Sequence, residues 1–138
     1  MNLNTQQTLL RIELDLRHKP ELLVACQAVV RFLSEHRAED LQQITFGLIG
    51  RVANLPLIET IPVAEYLSSA RGRIFDRRFM LIVDEEEFEI PHEDVAEARL
   101  LNRLCHPDTG EVISNFEESL FVYFELSDIG KMLTRTFD

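Results

Sequence analysis

The stretch ITFGLIGRVANLPLIETIPVAEYLSSARG, residues 44–72, constrains the fold more than any other part of the chain. Thr45 stands where a helix begins, because its hydroxyl can accept from backbone N–H groups that the first turn leaves without partners. Phe46, Ile49, Val52 and Ala53 recur at helical spacing as an inward face, and Asn54 tolerates the left-handed conformation that ends a helix. After a very short turn a second helix is expected, with Leu57, Ile58, Ile61, Ala64 and Leu67 inward and an end near Gly72. Pro62 disturbs that pattern, since proline inside a helix removes a donor and clashes with the carbonyl four residues back. The second helix therefore starts near Thr60 or bends there.

The flanking segments extend the reading. Residues 11–17 alternate as a strand would, but Asn4 with Gln7 imitates a capping box and Leu9, Ile12 and Leu16 fit a helical stripe; helix is preferred. Pro20 breaks this pattern and suits the first turn of a core helix from Glu21 to about His36, carried by Leu22, Leu23, Cys26, Val29, Val30 and Leu33. RGRIFDRRFMLIVDEEEFEI, residues 71–90, reads as a hairpin with Ile74–Val83 outgoing, Asp84-Glu85-Glu86 at the turn and Glu87–Ile90 returning. Pro91 to Asp94 opens a helix whose apolar face is Val95, Ala98, Leu101 and Leu104, and residues 106–111 are a turn. Asn115 and Glu118 form a second possible capping box. LFVYFEL, residues 120–126, fits either helix or strand, and Ser127 is placed to cap a last helix from Asp128 to Thr134.

A longer helix, two short helices on a tight turn and a hairpin resemble the winged helix-turn-helix superfamily over residues 21–90. The expected fold is mainly α with a small β-hairpin, an α+β class. It is a single domain of residues 1–138, with a winged-helix-like core at 21–90 and a helical, aromatic extension at 91–138. The resemblance implies DNA binding, with the second helix of the pair entering the major groove. The residues oppose it. The positions expected to face outward on that helix are Glu59, Thr60, Glu65, Ser68 and Ser69, where base reading and phosphate contact favour Arg, Lys, Asn or Gln. Arg71, Arg73, Arg77 and Arg78 are the candidate nucleic-acid contacts. On an extended strand the first three would share one face and Arg78 the other. Their competing role is to pair with the acidic return strand.

Charge points the same way: 24 acidic residues against 14 Lys and Arg give −10, which disfavours attraction to nucleic acid or anionic lipid. No apolar stretch reaches the roughly 18 residues of a membrane span, and the N-terminus lacks the marks of a signal peptide, so a cytoplasmic protein is expected. Cys26 and Cys105 do not form a disulfide framework. Cys105-His106, with Asp108, His92 and His36, lacks paired ligand spacing, and Asp84 to Glu87 lacks the pattern of a calcium loop, so no metal site is expected. There is no nucleophile elbow and no phosphate-cradling glycine loop; neither catalysis nor a cofactor is expected.

The remaining signal is aromatic. Phe116, Phe121, Tyr123, Phe124 and Phe137 crowd the last quarter of the chain, either completing the core or, for a subset, forming a partner or self-association surface. The functional expectation is a non-enzymatic interaction module that binds a protein partner or a second copy, with Phe116, Phe121, Tyr123 and Phe124 as its surface. The alternative is a DNA-binding regulator using the wing arginines. No small-molecule substrate is inferred.

Overall fold

The structure is a computed structural model that describes residues 2–135. In chain order these form α1 (Leu3–Leu16), α2 (Pro20–Ser34), α3 (Phe46–Ala53), α4 (Thr60–Leu67), β1 (Phe75–Val83), β2 (Glu86–Ile90), α5 (His92–Leu101), β3 (Leu104–Cys105), β4 (Val112–Ile113), β5 (Leu120–Leu126) and α6 (Asp128–Leu133). The fold is α+β. The chain gathers into two compact units, Met1–Asp76 with Phe124–Asp138, and Arg77–Tyr123. The β1–β2 hairpin thus groups largely with residues 91–123, and α6 groups with the helices at the start of the chain.

In the first unit local chemistry sets the helix ends. Asn2, not Asn4, caps α1: its side-chain oxygen accepts from the Thr5 N–H at 2.8 Å. Pro20 occupies the first turn of α2, where its missing N–H costs nothing. Thr45 caps α3 through the Leu48 N–H, and Asn54 ends it at φ 57. The chain then turns through a 3-10 segment, Leu57–Glu59, into α4, so that the two arms of this helix pair bend by 96°. Pro62 falls in the first turn of α4, which starts at Thr60.

Of the expected inward face, Ala64 and Leu67 are buried as expected and Leu57, Ile58 and Ile61 are not. Thr60 and Val63 complete the buried side, whereas Leu57, Ile58 and Ile61 are exposed. The cause is Thr60, which is fully buried and donates its hydroxyl proton to the Leu57 carbonyl. A satisfied threonine takes a place that the apolar pattern assigned to its neighbours. Ser127 caps α6 through the Gly130 N–H at 2.9 Å. Gly130 is needed where α6 meets the chain at Ile74, because a Cβ there would lie 2.2 Å from the Ile74 carbonyl oxygen.

In the second unit β1 and β2 pair antiparallel from Phe79↔Ile90 to Val83↔Glu86. Asp84 and Glu85 alone make the turn, at φ 51 and 67, the left-handed pair that matches strand twist in a two-residue hairpin. The return strand therefore begins at Glu86, one residue earlier than expected. Residues 120–126 are strand, and the sheet order is β2–β1–β5. The core is Phe79, Leu81, Ile90, Val95, Ala98 and Phe116, with Leu104 beside them. Helix α5 stops at Leu101 because Asn102 turns left-handed at φ 56, so Leu101 is exposed and Leu104 opens β3 instead. Asn115 makes no side-chain cap; it is itself left-handed, and only a 3-10 turn follows.

Candidate functional site

Arg71, Arg73 and Arg77 do not form the expected stripe. Arg71 and Arg73 precede β1, in the turn that closes α4, so strand alternation does not apply to them. Ser69 builds that turn: its hydroxyl accepts from the N–H groups of Arg71 and Gly72 and donates to the Tyr66 carbonyl. Gly72 follows because a Cβ there would sit 2.1 Å from the Tyr66 carbonyl oxygen. Arg73 takes φ 60 and folds its guanidinium back onto the Ala70 carbonyl at 2.7 Å.

Arg71 is held to α1. Its Nη2 donates to Asp15 Oδ1 at 2.7 Å, while the Tyr66 hydroxyl donates to Asp15 Oδ2 at 2.7 Å. The Tyr66 hydrogen bond, aided by Arg71, holds the Asp15 carboxyl below its usual pKa of 3.8 despite its burial. Burial and the same carboxylate push the Tyr66 hydroxyl the other way, well above its ordinary value. This cluster ties α1 to the end of α4. In the second unit Arg78 reaches Glu89 of the return strand at 3.6 Å, the cross-hairpin pairing weighed from sequence. Arg77 remains exposed.

The aromatic set divides. Phe124 is fully buried, edge-on to Phe46 with ring centroids 5.5 Å apart and 5.8 Å from Phe75. Phe116 and Tyr123 are buried as well. Phe121, 49% exposed, alone of the four keeps a surface face, and Phe137 lies outside the described residues. Three of the four expected partner contacts are thus spent on packing within the chain.

The surface that sequence reasoning missed lies on the outward side of the helix pair. Leu57, Ile58 and Ile61 are 65%, 75% and 45% exposed. Ile61 and Glu65 stand one turn apart on the exposed side of α4, opposite the buried Thr60, Val63 and Ala64. Beside them a groove of about 190 Å³ is lined by Leu22, Ala25, Leu55, Pro62 and Val63, with Glu21 and Glu59 at its edge. No Lys or Arg occurs between residues 52 and 70. The helical stretch 57–67 thus presents apolar side chains and carboxylates. The spacing of Thr60, Val63, Ala64 and Leu67 would have exposed this face, had threonine been read as a core residue.

Other chemistry is sparse. Burial pushes the Cys26 thiol up to about 12, which keeps it protonated and unreactive at neutral pH. The His106 ring nitrogen Nδ1 accepts from the N–H groups of Asp108 and Thr109 and so shapes the 106–111 turn. Among the described residues no three His, Cys, Asp or Glu side chains converge as a metal site, and no single helix is long and apolar enough to cross a membrane. No protein-family model, curated protein or solved structure matches this chain.

Proposed function

We propose that this chain is a non-enzymatic, winged-helix-like interaction module that binds a protein partner through the outward face of residues 57–65. The observation carrying this reading is the composition of that face. In a winged-helix protein that reads DNA, the second helix of the pair would offer cations and amides to the duplex. Here that helix and the 3-10 turn leading into it offer Leu57, Ile58 and Ile61, exposed, with Glu59 and Glu65 among them. Exposed aliphatic side chains raise the free energy in water and lower it when buried against an apolar partner, whereas the carboxylates repel phosphate.

The partner that fits is a protein segment with an apolar anchor flanked by Lys or Arg. The anchor would enter the groove between α2 and Pro62, and the cations would meet Glu21 and Glu59 at its rim. Against the competing reading, a DNA-binding regulator using the wing arginines, stands the pairing of Arg71 with Asp15 and of Arg78 with Glu89, which offsets part of the positive charge that reading needs.

A displayed library of helical peptides, selected on the wild-type chain alone and then assayed against both the wild type and Ile58→Glu/Ile61→Glu, tests the proposal. Both residues are exposed, so the variant should fold. The expected winners carry spaced apolar residues with Lys or Arg beside them, and bind the double variant at least ~10-fold more weakly. Winners that bind both proteins equally would remove this face from the account.

A further inference from the structure

Helix α1 presents a second surface, independent of the one above. Its buried face holds Thr5, Thr8, Ile12 and Leu16, while Leu3, Leu10 and Leu14 are 66%, 61% and 68% exposed on the opposite side. Two threonines face the core and three leucines face water, the reverse of what burial free energy favours for a helix whose outer face stays wet. On the core face the Thr5 hydroxyl is accounted for, since it lies within hydrogen-bond reach of Asn2 Oδ1 and of the Leu133 carbonyl oxygen. The outer face has no such account within the chain. Leu3, Gln7, Leu10 and Leu14 step by four, three and four residues, the alternation of a coiled-coil seam with one polar position.

We propose that α1 pairs with α1 of a second copy of this chain, the two helices running antiparallel. Charge selects the occupant. The molecule carries −10 overall, and the 57–65 face is edged by Glu21, Glu59 and Glu65, so two copies meeting there would repel. The exposed side of α1 is balanced instead, with Glu13 and Arg17 on it, while Asp15 is neutralised by Arg71. Direction follows from Arg17, the next seam position. A parallel pair would set Arg17 against its own copy. An antiparallel pair sets Leu3 against Leu14 and Gln7 against Leu10 of the second copy, and carries Arg17 past the end of the opposing helix. In that register Arg11 lies beside Asn4, and Glu13 beside Gln6, so no like charges meet.

A seam of one 14-residue helix is about 21 Å long and belongs to the weak class of interfaces, so the dimer should form reversibly with concentration. Sedimentation equilibrium of the full chain from about 1 to 500 µM tests this. The wild type should shift from monomer to dimer within that range. Leu10→Glu should raise the dissociation constant at least ~30-fold with an unchanged far-UV spectrum, and Gln7→Leu should lower it. Spin labels on Arg17→Cys, in a Cys105→Ser background, should stand about 25 Å apart along the axis if the pair is antiparallel, against about 10 Å if parallel. A monomer throughout, a dimer indifferent to Leu10→Glu, or a dimer broken by Ile58→Glu/Ile61→Glu instead would overturn the proposal; a 10 Å label distance would overturn its direction.

Discussion

Phe124 and Phe121 lie three residues apart on one strand and should respond to truncation by very different amounts. Phe124 is fully buried against the rings of Phe46 and Phe75. Removing a buried phenyl ring forfeits its transfer free energy and leaves a cavity, together about 3–5 kcal/mol, and the two lost ring contacts place Phe124→Ala near ~4 kcal/mol. With 138 residues at about 2.1 cal/mol/K each, the unfolding entropy is about 0.29 kcal/mol/K, so Phe124→Ala should lower Tm by about 14 °C. Phe124→Leu keeps most of the volume and should cost about 1.5 kcal/mol or less. Phe121, half exposed, should lose no more than ~1 kcal/mol as Phe121→Ala. Urea unfolding followed by circular dichroism, with thermal melts beside it, gives all three values. Equal costs for Phe124→Ala and Phe121→Ala would refute the division of the aromatic set into core and surface.

Acid should weaken the first unit through Asp15. Its folded pKa lies below 3.8, so its contribution is present above that value and is lost as pH falls through the folded pKa. The gap in urea midpoint between wild type and Asp15→Asn should therefore be constant from pH 7 to about 5 and close below about 4; a gap unchanged at pH 3 would mean that the carboxylate charge plays no part. The thiols should separate in a disulfide-exchange titration at pH 8, because Cys105 is exposed and Cys26 is buried with its pKa pushed up to about 12. One fast equivalent is expected in the folded protein and a second only in denaturant, and two fast equivalents would contradict the burial of Cys26.

How far the fold was legible depends on the range of the interaction that decides each part. Thr45, Asn54 and Ser127 act on backbone groups within a few residues, and their roles could be read from the sequence. The phase of α4 could not, because a buried threonine with a satisfied hydroxyl is invisible to an apolar pattern. Arg71 and Arg73 were misplaced because the Ser69 side chain, rather than strand propensity, decides the path of residues 68–73. The burial of Phe124 depends on Phe46 and Phe75, which lie 78 and 49 positions earlier, and no local period encodes that. The candidate surface was missed for the first of these reasons: Leu57, Ile58 and Ile61 looked like core.

What the 57–65 face binds is the central question of function. Fluorescence anisotropy of the full chain against two labelled probes decides it most directly: a helical peptide with leucine anchors flanked by lysines, and a random-sequence DNA duplex, each at 50 and 200 mM salt. The account predicts saturable peptide binding that Ile58→Glu/Ile61→Glu weakens at least ~10-fold, with little binding to the duplex. Duplex binding that falls steeply with salt and is lost in Arg77→Ala/Arg78→Ala, with no peptide binding, would contradict it and leave the two β1 arginines as the site.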